Sequence, residues 1–419
     1  MQLRLRYGLN GRKEIVLRTS DRIAFKSCRR KWAWSSHLMR NLGSANLAPA
    51  LWFGSGIHYA LEDYHGYKHF KSAAHAFQAY CIATSKQGLR DLPNNAKELY
   101  ELGTNMMDYY EFKWAPIRSV DQTFIYNGVP QVEVDFEVDI PLDEFPHLKE
   151  LAAKHGANAV VYRGTIDRMA IDDFGRLWVV EYKTAKVAEQ LHFQTDPQVT
   201  SYVWAANHIY DRPVAGVAYY QYVKREAKPP AILSSGRIST ASNLSTSVPL
   251  YSEALLRMYG SLDKAPVANR EYLEYLATQE TADKDKYIQR EYVYRNEHMA
   301  QMEAQKVLLE LEDMMNPDLP LYPNPTRECS RMCSFLGACV SFDDGGDWET
   351  NLESQYAERD QGADRYWRKR MPSAEAILAM EGMGTPDLED VQVRIQSLTD
   401  AQRTAIEAGE ASVEFTFHM

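Results

Sequence analysis

The sequence predicts an α/β protein: a central mixed sheet flanked by helices, with a large helical region in front of it. Three observations carry that prediction. Apolar residues recur at helical spacing between residues 19 and 115. From residue 129 the period changes to two. The order then runs three strands, a helix and another strand, which is how sheet and helix layers alternate.

The elements follow in order. Residues 1–18 alternate in places and predict a small hairpin through Asn10-Gly11. Thr19 or Ser20 offers a cap for a helix over DRIAFKSCRRKWAW. Residues 44–56, with Pro49, Gly54 and Gly56, read as loop, and GIHYALEDYHGYKHF as a helix with His58 and Glu62 on one face. Residues 71–87 and 95–114 read as further helices. VPQVEVDFEVDI sets Val132, Val134, Phe136, Val138 and Ile140 against Glu133, Asp135, Glu137 and Asp139, a half-exposed strand. NAVVYRGTID and GRLWVVEYK are the next two strands. A helix over roughly 187–209 and a strand at AGVAYYQYVK follow. Residues 225–250 are polar and loop-like, and REYVYRNEHMAQMEAQKVLLELEDMM reads as one long helix. Pro317, Pro320, Pro323 and Pro325 then enforce an irregular segment leading into CSRMCSFLGAC.

With 419 residues, 45% of them hydrophobic and 25% charged, the chain is long enough for one large domain with additions. It has no apolar run of membrane-spanning length, and MQLRLRYGLNGRKEI lacks an apolar signal core, so a cytoplasmic protein without a membrane role is expected. The net charge of -10 is unevenly spread. Residues 341–419 hold 17 acids and 7 bases, whereas the first 340 residues balance at 40 of each. Residues 1–42 carry 11 bases against 2 acids, either a solvated helix face or a phosphate-contacting one.

Four places carry candidate chemistry. Asp167 ends one strand, and Glu181-Tyr182-Lys183 follows the apolar run of the next. Carboxylates and a lysine at adjacent strand ends suit a divalent cation and a phosphate, although a pair of ordinary charged strand ends would look similar. Gln198 and Tyr202 share a helix face, as many surface pairs do. His58 is either a packed helix residue or an imidazole ligand, which would favour manganese over magnesium. Cys329, Cys333 and Cys339 fall in one Pro-flanked segment, and in a reducing compartment they need a fourth partner. Cys28 is the better candidate, because Cys81 lies on an apolar helix and reads as core. Four thiolates fit either zinc or an iron–sulfur cluster.

The stretches G-T-I-D-R, E-Y-K, Q-V-T-S-Y and G-S-G-I-H-Y-A-L-E, in their order and with these cysteines, resemble the PD-(D/E)XK nuclease superfamily. Within it they are most similar to the RecB-like exonucleases, including CRISPR-associated and AddB-type members with a four-cysteine iron–sulfur cluster. One departure is the C-x3-C-x5-C spacing of the late cysteines, where C-x2-C-x5-C is usual.

The resemblance implies a restriction-endonuclease-like core. His58, Asp167, Glu181 and the Tyr182 carbonyl would bind Mn2+ or Mg2+, and Lys183 would position or deprotonate the attacking water. The cation would polarise the phosphate for in-line attack, leaving 5′-phosphates. Gln198 and Tyr202 would hold DNA, and Cys28, Cys329, Cys333 and Cys339 would bind a structural 4Fe-4S cluster. Arg29, Arg30, Lys31 and Trp32 beside it are candidate DNA contacts.

The expected division is 1–18, a hairpin; 19–340, the nuclease domain; and 341–419, an acidic module. The nuclease domain comprises a helical region at 19–115, a catalytic core at 125–225, and a long helix with the cluster segment at 285–340. In the acidic module, a basic turn and short helix ending at Gly382, a helix capped by Thr399 and Gln402, and a final strand are expected. That module is either a partner-binding element or an acidic cover against nonspecific DNA. The expected activity is a metal-dependent exonuclease on single-stranded DNA or duplex ends, in recombination or repair, with phage genome processing suggested by analogy. The alternatives are a non-catalytic DNA-binding recombination partner and a structure-specific endonuclease.

Overall fold

The computed structural model describes residues 1–8, 11–44, 48–86, 93–118, 120–188 and 192–359. The elements expected in the acidic module beyond residue 359 lie outside them. The N-terminal hairpin forms, with β1 (Arg6–Tyr7) antiparallel to β2 (Lys13–Arg18). It is not a separate appendage, because Ile15 and Leu17 are fully buried and draw β2 into the main sheet.

The helix expected after it is two helices, α1 (Thr19–Ser27) and α2 (Arg29–Ser35). Cys28 between them is extended, with φ -167° and ψ 118°, and its Sγ accepts the Lys31 N–H at 3.5 Å. At the start of α1 the cap contact comes from Asp21, whose carboxylate accepts the Arg18 N–H at 3.1 Å.

The stretch expected as loop up to residue 56 is mostly helix. α3 (Pro49–Glu62) starts on Pro49, whose fixed φ suits a first turn. Gly56 is used for close approach instead of a turn: a Cβ there would stand 2.8 Å from the rings of Phe77 and Tyr80. Those rings belong to α4 (Ala73–Lys86), and α5 (Ala96–Tyr109) completes the helical layer.

The sheet is built from β3 (Val132–Asp139), β4 (Ala159–Ile171), β5 (Leu177–Ala185), β6 (Val214–Val223) and β7 (Ile288–Tyr294), with α6 (Pro146–Lys154) between β3 and β4. Its order is β1-β2-β4-β5-β6-β7, and β3 lies antiparallel along the other edge of β4. β5 and β6 are parallel, joined by α7 (Pro197–Ile209). That helix starts ten residues later than its periodicity suggests, because Asp196 caps it through the Gln198 N–H at 2.9 Å and Pro197 opens the first turn.

The long helix expected from residue 290 opens as strand. Ile288–Tyr294 pairs antiparallel with β6, and helix begins only after Asn296, whose side chain accepts the Met299 N–H at 2.9 Å. The intervening polar segment leads into two unforeseen helices, α8 (Val248–Tyr259) and α9 (Val267–Gln279), with a small core of Tyr251, Leu255, Tyr272 and Leu276. α10 (Glu297–Met315) returns to the sheet.

Both faces of the sheet are covered, which is why its central strands are largely apolar. Tyr162, Ile166, Leu177 and Val179 enter one core, with residues of α6, α7 and α10. Trp178, Val180, Tyr182 and Tyr220 enter the other, under α3, α4 and α5. Residues 341–359, placed by composition in the acidic module, continue the cysteine segment instead. Trp348, Leu352 and Tyr356 pack around Trp34 and Phe335, and Tyr356–Glu358 pairs with Leu42–Ser44.

Candidate active site

The sheet splits where the candidate residues stand. Along one edge, β4 pairs with β2 from Ala159 to Arg163 and with β5 from Arg168 to Ile171. Residues 164–167 lie between these two ladders, and β5 continues past Val180 with β6 alone. The Tyr182 N–H, freed from the β4 ladder, is taken by Asp167 Oδ2 at 2.8 Å. The pleat also slips here. Ile166 belongs to one core, whereas Arg168 packs on Tyr182 and Tyr220 in the other. Asp167 is thus aimed along the split.

Four acid–base groups converge on it. His58, presented by α3, has Nδ1 3.4 Å from Asp167 Oδ1 and 3.4 Å from Glu133 Oε1. His58, Glu133 and Asp167 each offer one ligand atom within 4.8 Å of the others, the one such group among the described residues. Glu181 is not in that trio. It is 4% exposed, and its carboxylate accepts a hydrogen bond from Lys183 Nζ.

The electrostatics express a carboxylate surplus. Burial pulls His58 down, but the charges of Asp167 and Glu133 and their hydrogen bonds hold it well above the ordinary imidazole range. Burial works against Asp167 as an anion, yet His58, the Tyr182 N–H and Lys183 keep its carboxyl below the usual range. Burial raises Glu181 to about 7, against the pull of Lys183 and with the help of Asp167. Burial opposes the charge on Lys183 too, but Glu181 and then Asp167 raise it above the normal lysine range. Three carboxylates share one lysine and one imidazole, and a divalent cation would relieve that imbalance.

A family model of the PD-(D/E)XK nuclease superfamily matches residues 20–340, well over half of the chain and the whole of this site. The chain belongs to the PD-(D/E)XK nuclease superfamily. Comparison with curated proteins found no match. Superfamily membership makes the chain a nuclease by descent, of a kind that binds DNA and uses divalent metals. Glu181-Tyr182-Lys183 has the D/E-x-K form that gives the superfamily its name, and Asp167 stands on the adjacent strand.

Behind this site lies a polar network that the sequence did not suggest. Arg168 Nη1 is 2.6 Å from His65 Nδ1, and His65 Nε2 is 2.7 Å from the Tyr110 hydroxyl. A guanidinium can only donate, so Nδ1 accepts and Nε2 carries the proton. Burial and the Arg168 charge both depress His65, which fits that neutral form. His65 stacks on Tyr182 at 6.3 Å, and His58 meets the same ring edge-on at 5.9 Å.

The remaining predicted residues divide. Gln198 Nε2 donates to the Tyr202 hydroxyl at 3.0 Å, as their shared helix face suggests. Tyr202 itself is 5% exposed and packed on Phe136. Trp32 is fully buried against Phe25, so it has no face to offer a base. Arg30 is also turned inward, donating to Cys339 Sγ at 3.3 Å and to Asp343 at 2.7 Å. Both are corrections to the expected DNA contacts: the first turns of α2 serve the fold. Arg29 lies between Phe25 and Tyr322 and 3.8 Å from Asp313, and Lys31 is half-buried.

Cys81 is core, as its apolar helix implies. The other four cysteines come from two segments far apart in sequence that touch in the fold. Asn324 N–H approaches Cys28 Sγ at 3.4 Å, and Cys333 and Cys339 pack on the cluster around Trp34. All are free thiols, and no three of their sulfurs lie within 4.8 Å of one another. The residue that sequence reasoning missed is Glu133. It sits in an alternating strand as one of four apparently solvent-facing acids, and only its backbone conformation sets it apart.

Proposed function

We propose that this protein is a metal-dependent DNA exonuclease that hydrolyses phosphodiester bonds in single-stranded DNA or at duplex ends. The observation that carries the reading is the placement of Asp167, Glu181 and Lys183 at the split between β4 and β5, with His58 facing them from α3. His58, Asp167, Glu181 and the Tyr182 carbonyl would hold Mn2+ or Mg2+. A divalent cation there supplies positive charge to the scissile phosphate and acidifies water.

The chain's own residues do the rest. Asp167 is fixed by the Tyr182 N–H, so the acid needs no rearrangement to serve as a ligand. Lys183, only 36% exposed and held by Glu181, offers its ammonium to a phosphate oxygen or the attacking water. Gln198, tethered to Tyr202, lies where it can steady the strand. Hydrolysis breaks the P–O3′ bond, and the oxygen of water ends on phosphorus as a 5′-phosphate.

We read Cys28, Cys329, Cys333 and Cys339 as ligands of a structural 4Fe-4S cluster. Three of these sulfurs accept an N–H, from Lys31 and Asn324, from Thr326 and from Arg30, a setting that suits thiolates. Four thiolates on one zinc at about 2.3 Å would bring the sulfurs to roughly 3.8 Å of one another. In a four-iron cluster each binds a separate iron, and the sulfurs stand farther apart. The cluster would clamp α2 against the C-terminal segment. A cytoplasmic role in recombination or repair, and a protein partner for the acidic C-terminus, complete the reading.

The test uses matched circular and linear DNA, single- and double-stranded, with Mn2+. An exonuclease degrades only the linear form. Cleavage of the circle at a similar rate makes the protein an endonuclease, and no degradation of either supports a DNA-binding partner. A colourless protein with stoichiometric zinc would overturn the cluster assignment.

A further inference from the structure

Building on the metal site proposed above, we infer that Glu133 is an additional ligand of the same cation, placed there by a backbone conformation kept for that purpose. Nothing in its sequence context marks it. VPQVEVDFEVDI would put Glu133 on the solvent face beside Asp135, Glu137 and Asp139. Those three are exposed, whereas the Glu133 side chain is only 9% exposed.

The cause is local. Glu133 has φ 45°, in the left-handed region. The other non-glycine residues with positive φ, Asn41, Lys68 and Asn127, lie outside helices and strands, and Glu133 alone stands within a strand among the described residues. For a glutamate this geometry carries a steric cost, because Cβ crowds the carbonyl oxygen. The turn reverses the alternation around it. Phe136 packs on Tyr202 in one core, whereas Val132 faces Gly66 on the opposite side.

A second cost adds to the first. The pairings Val132–Arg168 and Val134–Ile166 put Glu133 directly opposite Asp167. Two carboxylates facing across a strand pair repel. A fold has no reason to keep a strained backbone in order to bring like charges together, unless a cation lies between them. His58 Nδ1, 3.4 Å from both acids, marks the place. A cation there would gain an oxygen from each facing strand and a nitrogen from α3, which suits manganese better than magnesium.

Mn2+ binding by the full chain, followed through the electron paramagnetic resonance of free Mn2+, tests this without needing turnover. Wild type should bind, Asp167→Asn should lose binding, and Glu133→Gln should weaken it at least tenfold. Glu133→Gly can adopt the left-handed backbone freely. It should lose Mn2+ affinity as Glu133→Gln does, while melting without metal no lower than wild type. If Glu133→Gln binds Mn2+ like wild type while Asp167→Asn does not, the inference about Glu133 fails and the metal site stands. If Glu133→Gly melts several degrees lower with unchanged affinity, Glu133 is a structural fastener to His58. If wild type binds no Mn2+, the metal site and this inference fall together.

Discussion

Two of the buried charge groups among the described residues are built on opposite terms. In the first, Arg22 of α1 is 2% exposed and bonds Glu303 of α10 at 2.6 Å, with Glu310 on its other side. Lys26 and Lys306 complete it, so two carboxylates meet three cations. In the second, Glu133, Asp167 and Glu181 meet only Lys183 and His58. Every carboxylate of the first group is answered by a cation within the protein, and the group joins two helices over the core. The second has carboxylate to spare, a strained backbone and a split sheet. A matched buried cluster serves the fold, whereas a mismatched one is completed by something from outside.

The contrast breaks most visibly in turnover. Lys183→Ala or Asp167→Ala should lower manganese-dependent DNA degradation by a factor on the order of a thousand or more, with the visible absorbance of the proposed cluster unchanged. Arg22→Ala should do the reverse. Leaving Glu303 buried without its partner should cost about 3–5 kcal/mol of stability, read from denaturant melts, with cleavage kept at low temperature. Added metal sharpens the distinction. Mn2+ at a hundred times its dissociation constant should stabilise the wild type by about 2.7 kcal/mol, and should do nothing for Asp167→Asn.

The smallest effect belongs to the far end of the same hairpin. Asp172, at the turn between β4 and β5, accepts the Phe174 and Arg176 N–H groups at 3.0 and 2.9 Å and the Trp178 indole at 2.9 Å. Burial works against its charge, but these donors hold its carboxyl below the usual range. A group depressed in the folded state contributes stability above its unfolded pKa, near 3.9, and loses it as pH falls through the lower folded value. Asp172→Asn should cost about 1–3 kcal/mol at neutral pH, and the gap to wild type should narrow on acidification below about pH 4. It is a matched charge, so cleavage at low temperature should survive.

Much of the second group is legible in sequence, and the reason is physical. Asp167 and Glu181-Tyr182-Lys183 interrupt apolar strands, and charge in such a place needs a cause. The fold class follows from the change of period. Other features are hidden for equally physical reasons. Glu133 obeys the alternation of its strand, and a left-handed φ at one glutamate leaves no trace in residue type. REYVY satisfies helix and strand periods alike, and only pairing with β6 decides between them. Arg30 and Trp32 look like a nucleic-acid surface because burial of a basic, aromatic helix depends on what packs over it, here Asp343, Cys339 and Phe25.

The mismatched carboxylates are proposed to hold a divalent cation at a DNA-cleaving site. The most direct measurement is release of nucleotides from end-labelled linear DNA, single- and double-stranded, by the full chain, with and without Mn2+, beside Asp167→Ala. Nucleotide release that needs Mn2+ and disappears in Asp167→Ala is the predicted result. No release with any divalent cation, or release that survives in Asp167→Ala, would contradict it.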